Sequence, residues 1–451
     1  QKMALPVSQL KVRVSYGRLG NQNGAGLYDY IAQMPLDAQG TNAWLLPGIS
    51  SSTASKGTIA QTPKMISPYI TWEKVDNANL GFDLMLFKNR LSITADLYQR
   101  TTRDMIGPAE SIPSISGIAS EDRAKVNNAT LRNRGWELSV SWNDKLKCGF
   151  SYGVGFNVFN YKAVVTKYNN PEGIIYNNHT GLAANKGYYE GMDLGEIWGY
   201  RADDLFLSNR EIDDYLRKVD LTAFKSNDLW RRGDLKYIDT NGDGRVDGGK
   251  GTLSDHGDLQ VIGNTTPKYS FGINLNLGYK GFEVSTLLQG VAKRDFPIAG
   301  SNYMFGGNNY NFKEHLDYFS TENPNGYLPR LTGWKDDKDF LVNTGYNTTR
   351  YLLNAAYMRM KNLTVAYTFN KKQLKHIGIS NLKVYVTCDN LFTITKLPKQ
   401  FDPETLNQVN MSAGGDAKNT APGLTSPMKQ NGNGMVYPMN RNFVFGLDFT
   451  F

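Results

Sequence analysis

The sequence predicts an all-β fold, and within that class a transmembrane antiparallel β-barrel. The chain of 451 residues contains 45 Gly, 26 Tyr and 21 Phe, whereas charged residues account for only 20%. Several segments alternate apolar and polar side chains over ten or more residues, which exceeds the roughly 5–6 residues of strands in soluble sheets. Short and long connections also alternate along the chain, as they do in outer-membrane barrels.

The composition excludes several other classes of protein. Two Cys cannot build a disulfide framework, and the chain has no run of about 18 apolar residues that would form a transmembrane helix. The first residues lack the pattern of a signal peptide and position 1 is Gln, so we interpret the chain as a mature or cleaved fragment rather than a whole gene product. The net charge is +8, but the basic residues are scattered, and we therefore expect no nucleic-acid partner.

The alternation gives each strand an apolar and a polar face. In RLSITADLY (90–98), the Leu and Ile side chains share one face and Asp96 lies on the other. The same pattern recurs in WELSVSW (136–142), FGINLNLGY (271–279) and NFVFGLDFTF (442–451). Asp96, Glu137 and Asp448 fall on the polar faces of their segments. We expect these three acids to point into the barrel lumen and the apolar side chains to face lipid.

The pattern predicts ten strands, near residues 10–18, 71–87, 90–105, 127–143, 147–166, 267–279, 282–293, 351–369, 381–395 and 439–451. Short turns are predicted at 88–89, 144–146, 280–281 and 370–380, and long connections at 19–70, 106–126, 167–266, 294–350 and 396–438. If the chain ends on the periplasmic side, every long connection lies outside the cell. Ten strands could close into a barrel alone, or strands from another segment could complete a larger one.

Eight segments, taken in order, carry a family resemblance: VSYGRLGNQN (14–23), WEKVDNANLGFDLMLFKNRLSITADLYQRTTRDMI (72–106), NRGWELSVSW (133–142), GDLKYIDTNGDGRVD (233–247), VIGNTTPKYSFGINLNLGYKGFEV (261–284), YMRMKNLTVAYTF (357–369), LKVYVTCDNLFTIT (382–395) and YPMNRNFVFGLDFTF (437–451). Together they resemble the C-terminal part of the SusC/RagA family, the TonB-dependent outer-membrane transporters of Bacteroidetes. The resemblance extends over nearly all of residues 1–451.

The resemblance implies a barrel of about 22 strands around an N-terminal plug, of which this chain supplies the C-terminal ten. The implied partners are the N-terminal part of the same transporter, the TonB complex and a SusD-like surface lipoprotein that covers the mouth. The plug and the TonB-binding segment are expected to lie outside residues 1–451, whereas 167–266 and 294–350 are expected to be long extracellular loops. The implied function is active import across the outer membrane. We favour oligosaccharides as the cargo, with oligopeptides as the alternative.

The residues alone leave two rival functions open. A passive porin-type barrel would show the same strands and turns without any coupling to TonB. A soluble, calcium-stabilised β-domain that binds glycans would also alternate apolar and polar side chains.

Residues 239–247 have the spacing of a calcium-binding loop. Side-chain oxygens or a backbone carbonyl stand at positions 1, 3, 5, 7 and 9 of the loop, in Asp239, Asn241, Asp243, Arg245 and Asp247. Gly244 at position 6 permits the sharp turn that brings these oxygens onto one point. The spacing therefore predicts a bound Ca²⁺ or Mg²⁺, and the alternative is an Asx-rich surface turn without a metal.

The ligand that closes this loop is displaced in the sequence. Position 12, where an EF-hand carries an acid, is Lys250. The resemblance implies an acid just before the VIG segment, which here is Asp258. An insertion around residues 248–255 separates Asp258 from the loop, and Asp255 is a rival for the same role.

No set of catalytic residues is visible in the sequence. The four His residues have neither the spacing of a zinc protease nor that of a nucleophilic triad, and no G-x-S-x-G occurs. We therefore expect no enzymatic activity and assign no catalytic residue. The sequence does not identify the residues that bind the cargo.

Aromatic and cysteine side chains have two interpretations each. The aromatic residues of the two longest connections could stack on sugar rings or pack against one another. They are Tyr188, Tyr189, Trp198, Tyr200, Phe206, Trp230, Tyr303, Phe305, Tyr310, Phe312 and Trp334. We favour packing for any one of them.

Cys148 and Cys388 could form a disulfide or remain free thiols. The terminal Phe451 fits a lipid-facing girdle, and the resemblance also implies an assembly signal there.

Overall fold

A computed structural model of the chain describes residues 7–22, 65–107, 124–175, 188–202, 204–298, 313–332, 338–369, 379–406 and 439–450, with short pieces between 30 and 60 and single positions at 115 and 374. Statements about the structure below refer to these residues. No helix in these ranges is both long and apolar enough to cross a membrane.

Ten antiparallel strands form one continuous sheet in which neighbours in sequence are neighbours in space. The strands are β1 (Val7–Asn21), β2 (Glu73–Leu86), β3 (Leu91–Gly107), β4 (Val126–Lys145), β5 (Ser151–Lys167), β6 (Lys268–Tyr279), β7 (Phe282–Lys293), β8 (Tyr357–Phe369), β9 (Asn381–Asp389) and β10 (Asn442–Thr450). A short strand, Thr393–Thr395, pairs with β8. The all-β barrel-type fold and the ten strands are thus confirmed.

The predicted bounds of two strands were wrong at the ends that lie next to long connections. The strand predicted from residue 351 begins only at Tyr357, because the Asn354 side chain accepts a hydrogen bond from the amide of Ala356 and turns the chain. The strand predicted to residue 395 ends at Asp389, because Asn390 has a left-handed backbone with φ of 53°. The first break places Leu352–Asn354 in a separate two-stranded sheet, whereas Thr393–Thr395 after the second break still pairs with β8.

The short connection between β6 and β7 is a turn of two residues. Lys280 and Gly281 both have positive φ, 47° and 92°, which is the two-residue turn that matches the twist of paired strands. A Cβ on Gly281 would lie 2.6 Å from the carbonyl oxygen of Thr368 on β8. Position 281 therefore requires Gly for its backbone angle and for the close approach of a neighbouring strand.

The register places apolar side chains of all ten strands on one face of the sheet. One row of directly paired residues runs Val7, Leu86, Leu91, Trp142, Val154, Leu275, Thr286, Leu363, Cys388 and Phe443. On the opposite face a row runs Lys11, Asp83, Thr94, Ser139, Asn157, Gly272, Gln289 and Arg359. We call these the outward face and the inner face.

The long connections after β5, β7 and β9 fold together into one unit, which we call the loop module. It comprises residues 168–175, 188–202, 204–266, 294–298, 313–332, 338–355 and 397–406, and buried side chains from all three connections share a single apolar core. Its helix α1 (Asn209–Leu216) begins at Ser208, whose hydroxyl accepts a hydrogen bond from the amide of Glu211.

Short elements complete the module and the first long connection. In the module, strand Glu196–Gly199 pairs with Gln260–Asn264, Asp204–Leu205 with Leu235–Lys236, and Asp295–Pro297 with Leu352–Asn354. Its short helical turns are Asn227–Leu229, Lys313–Leu316, Lys338–Phe340 and Leu341–Gly345. In the first connection, Leu36–Asp37 pairs with Ile59–Ala60 and Leu45–Leu46 with Ser55–Lys56.

Candidate functional site

The outward face carries a belt of aromatic rings at the short-turn end of the sheet. Ring centroids of Phe87 and Trp142 lie 5.9 Å apart, and those of Phe282 and Tyr367 lie 4.5 Å apart. Tyr279 on β6 adds a further ring in contact with the turn before β5. Aromatic rings concentrate where a membrane meets water. An apolar face edged by such a belt is suited to contact with lipid.

The inner face is polar and contains paired charges. The Arg13 guanidinium on β1 bonds Asp83 on β2 at 2.9 Å and Asp96 on β3 at 3.0 Å. Asp96 and Glu137 are direct cross-strand partners, and Asp448 lies opposite Lys383. The three acids predicted to point inward therefore all lie on the inner face, which confirms the predicted phase of their strands.

Near the short-turn end the inner face has a recess of about 580 Å³. Amide, hydroxyl and small side chains form most of its wall, with Glu283, Lys383 and Asp144 beside them, and Asp144 is paired with Arg90. Glu283 and Lys383 form an ion pair of 2.6 Å. The wall can thus offer hydrogen bonds to a polar solute while presenting little net charge.

A buried ion cluster joins two connections of the loop module. The Lys225 ammonium is fully buried and bonds Asp234 at 2.7 Å and Asp339 at 2.6 Å. Arg330 bonds the same two carboxylates, and the Asn343 amide donates to Asp234 at 2.9 Å. Two cations and two anions thus balance within the cluster. Such an arrangement offsets the large cost of removing charges from water.

The cluster changes the acidity of Asp339. Burial alone would raise the pKa of this carboxyl, but hydrogen bonds from Lys225 and Arg330 outweigh burial and hold its pKa below the ordinary 3.8. The same pairing holds the pKa of Arg330 above its ordinary value. Asp339 and Arg330 therefore remain charged at neutral pH.

A second ion cluster fixes the start of the last long connection to the sheet. Arg359 on β8 is nearly fully buried and bonds Asp402 at 2.8 Å and Glu404 at 3.2 Å. Burial would raise the pKa of Asp402, but hydrogen bonds from the amide of Met439 and from Arg359 lower it overall. Arg294, just after β7, donates to the backbone carbonyls of Leu406 at 2.7 Å and Pro403 at 3.4 Å.

Most of the described loop aromatics pack in the core of the module. Tyr189, Trp198, Tyr200, Phe206 and Trp230 are buried there, which confirms the packing interpretation for these five. Tyr188 is exposed and stands edge-on to the ring of Tyr168, with centroids 5.4 Å apart. The remaining predicted positions, Tyr303, Phe305, Tyr310, Phe312 and Trp334, lie outside the described residues.

The predicted calcium loop forms a compact turn on the surface of the module. Both carboxylate oxygens of Asp239 accept backbone hydrogen bonds, from Gly242 at 2.6 Å and Gly244 at 2.8 Å. The Asn241 side chain accepts from the amide of Asp243 at 2.9 Å, and Asp243 accepts from Arg245 at 2.8 Å. The side-chain oxygens at positions 1, 3 and 5 of the loop therefore accept backbone hydrogen bonds within the loop, as in an Asx-rich turn.

Asp258 is also brought to this loop, although the insertion separates it in sequence. Its buried carboxylate accepts hydrogen bonds from the amides of Thr240 at 2.7 Å and Asp247 at 3.0 Å. Asp247 in turn forms an ion pair of 3.0 Å with Arg245. Asp255 caps a separate turn with Thr252. Within the described part of the chain, no group of three or more His, Cys, Asp or Glu is arranged to hold a metal.

The two cysteines are free thiols in this structure. Cys148 is exposed in the short turn between β4 and β5, whereas Cys388 lies on the outward face between Leu363 and Phe443. The two therefore lie at opposite ends of the strands. Phe451 lies outside the described residues, but the rest of the terminal apolar row, from Phe443 to Phe449, is exposed on the outward face.

The buried ion clusters had not been identified from the sequence. Their members are separated by up to 114 residues along the chain and belong to different connections, so no local spacing marks them. Arg132, Arg134 and Lys162, which lie together on the outward face, could have been found by extending the strand alternation of β4 and β5 beyond the apolar residues.

Known proteins are similar to this chain in sequence. The chain is 26% identical over 385 residues to the TonB-dependent receptor P3 of Formosa agariphila, covering 85% of this chain. It is 22% identical over 411 residues to the TonB-dependent receptor SusC of Bacteroides thetaiotaomicron, covering 90% of this chain. The match covers 34% of the first relative's length and 36% of the second's, so this chain spans about a third of each.

Solved structures of the RagAB peptide importer show the same fold. In its closed-closed state the match has a TM-score of 0.63 at 20% identity, and it covers 99% of this chain and 41% of the other. A further RagAB transporter structure matches with a TM-score of 0.59 at 21% identity, covering 88% of this chain and 38% of that one.

A family model agrees with these matches. Residues 5–391 match the model described as TonB dependent receptor-like, beta-barrel, which includes nine of the ten strands. The members of that family are outer-membrane proteins, and the apolar outward face and polar inner face agree with that location. The chain therefore belongs to the TonB-dependent receptor β-barrel family of the outer membrane.

Proposed function

We propose that the protein to which this chain belongs imports nutrients across the outer membrane with energy supplied through TonB. The observation that supports the proposal is the two-faced sheet, whose apolar outward face suits lipid and whose polar inner face suits a solute path. Membership of the TonB-dependent receptor family supports the coupling to TonB. We propose a transport role and no catalytic one.

The orientation and the partners are part of this proposal. In outer-membrane barrels the short turns lie in the periplasm and the long connections lie outside, which would place the loop module on the cell surface. A SusD-like lipoprotein would cover the module. Strands from the N-terminal part of the transporter would pair with the edges of β1 and β10, because unpaired edges are not tolerated in lipid, and its plug would lie inside the barrel.

We propose oligosaccharides as the cargo. The inner face is rich in hydroxyl and amide groups, and five of its charged residues, Arg13, Asp83, Asp96, Glu283 and Lys383, pair with one another, which suits a neutral polyhydroxylated solute. Oligopeptides are the alternative, since the solved relatives include a peptide importer. The buried aromatics of the module are not free to stack on sugar rings, so they favour neither cargo.

The test is uptake by the intact transporter in its native cells. Cells with and without the gene would be given fluorescent oligosaccharides or oligopeptides, before and after collapse of the proton-motive force. Gene-dependent, energy-dependent entry of oligosaccharides is expected. Entry of peptides alone would reassign the cargo, and entry that survives energy collapse would indicate a passive porin. Co-purification followed by mass spectrometry should recover a SusD-type lipoprotein in equal amount.

We also propose that the loop formed by Asp239, Asn241, Asp243, Arg245, Asp247 and Asp258 binds Ca²⁺. The support is the calcium-loop spacing of residues 239–247 and the hydrogen bonds that hold the Asp258 carboxylate against this loop, since oxygen ligands suit a hard cation. Added Ca²⁺ should raise the protease resistance of the module in the wild type but not in Asp243→Asn. Asp228→Asn, at an exposed acid elsewhere in the module, should respond as the wild type does. An equal response of both variants would contradict the proposal.

A further inference from the structure

Three basic side chains form a patch on the outward face, at the long-connection end of β4 and β5. Arg134 and Lys162 are direct cross-strand partners. Arg132 lies two residues farther along β4 on the same face, opposite Val164. The basic patch of Arg132, Arg134 and Lys162 thus occupies two adjacent rows of the sheet.

The patch is not neutralised by the residues around it. None of its three members forms an ion pair with any residue that the structure describes, and the Arg134 guanidinium donates to the neutral Gln99 side chain. Neighbouring cations on the same face behave differently, since Arg18 and Arg103 share Asp76. Like charges placed directly opposite one another destabilise a strand pair. An anion between Arg134 and Lys162 would remove that cost.

The position of the patch indicates which anion would reach it. Trp136 lies two residues from Arg134 on the same face and is paired with Leu97 of the apolar region, so the patch lies where the apolar region ends. The alternate residues Ala163 and Val165 point to the other face and are buried beneath the loop module. The patch therefore points away from the module and toward the surface that surrounds the barrel.

We propose that this basic patch binds the phosphate of an outer-leaflet lipid headgroup, whose acyl chains lie on the apolar face below. Guanidinium groups bind phosphate oxygens through paired hydrogen bonds, and an ammonium adds a point charge. Basic residues near an anionic membrane surface strengthen binding by roughly fivefold each. The proposal rests on the orientation given under the proposed function, but it does not depend on the cargo.

The experiment measures lipid binding to the full transporter in detergent by native mass spectrometry. The probes are diphosphoryl lipid A, its dephosphorylated form and inorganic phosphate. The triple variant Arg132→Gln, Arg134→Gln, Lys162→Gln should bind diphosphoryl lipid A about a hundredfold more weakly. The control removes the same charge from an exposed part of the module, in Arg210→Gln, Arg217→Gln, Lys218→Gln, and should bind as the wild type does.

The outcomes separate the possible ligands. Wild-type binding to lipid A that falls on dephosphorylation, with no competition from inorganic phosphate, supports a lipid headgroup. Equal binding by the two triple variants would overturn the proposal, as would full competition by inorganic phosphate. Loss of a co-purifying lipoprotein without any change in lipid binding would identify the patch as a protein contact instead. The uptake assay is independent, so its failure would leave the lipid result standing.

Discussion

Single residues hold this chain together through contacts that are distant in sequence. Lys225 is the clearest case, because its buried ammonium touches carboxylates from two connections and lies 4.6 Å from the centre of the Trp230 ring. Breaking a buried, balanced cluster by removing one member leaves a carboxylate without its partner. The energetic role of Lys225 is therefore larger than that of any exposed lysine on the module.

Lys225→Met is expected to destabilise the loop module by about 3–5 kcal/mol. Arg210→Met is the matched control, since the Arg210 side chain is 92% exposed and its loss should change stability by about 0.5 kcal/mol or less. Limited proteolysis of the detergent-solubilised transporter measures the difference. Equal resistance of the two variants would show that the buried cluster contributes nothing to the module.

Adjacent residues on β10 should differ in their tolerance of substitution. Leu447 lies on the outward face opposite Val384, and Asp448 on the inner face opposite Lys383. Asp448→Leu is expected to fold, whereas Leu447→Asp places a carboxylate in lipid, at a cost of roughly 2 kcal/mol, and should fail to assemble. Heat-modifiable gel mobility reports assembly. The same mobility for both variants would contradict the assigned faces.

At the scale of elements, the strands were predictable because their signal is local. Apolar and polar side chains alternate with a period of two along each strand segment, so the faces of Asp96, Glu137 and Asp448 followed directly from the sequence. The break before Tyr357 was missed because one Asn side chain redirected the backbone. The loop module was missed because its core joins residues from three connections, such as Phe206, Leu328 and Leu406. The calcium-type loop was visible in sequence, whereas its contact with Asp258 came from the resemblance.

A separate prediction concerns the turn between β6 and β7. Gly281→Ala is expected to lower the yield of folded transporter, because the positive φ and the approach of Thr368 both disfavour a side chain, at a cost of about 1–3 kcal/mol. Gly17→Ala on β1 is the control, since a Cβ there meets no atom within 4 Å. The fraction of heat-modifiable protein measures the yield. If the Gly17 variant lost as much as the Gly281 variant, the turn would not limit folding.

The whole molecule contains two units that are stabilised in different ways. The sheet relies chiefly on its ladder of backbone hydrogen bonds, with ion pairs such as Arg13 with Asp83 added on its surface, whereas the module relies on an apolar core and buried ion clusters. The charge of the carboxylates in the ion clusters changes at low pH, whereas the backbone groups of the ladder do not titrate. The two units should therefore respond differently to acid.

Acid is expected to loosen the module before the sheet. Asp339 and Asp402 have pKa values below the ordinary 3.8, so the stability that they contribute is complete above that pH and is lost as the pH falls through their lower folded values. Hydrogen exchange should accelerate in the module below about pH 4 while β2 to β5 remain protected. Simultaneous loss of protection in both units would contradict this separation.

The shared core of the loop module also determines what can be exchanged between relatives. Three connections contribute to that core and are joined by ion clusters, so a single connection transplanted from another transporter would leave the other two without their partners. A successful graft must carry the three connections together. Engineering or recombination at this end of the barrel therefore has to exchange the loop module as one unit.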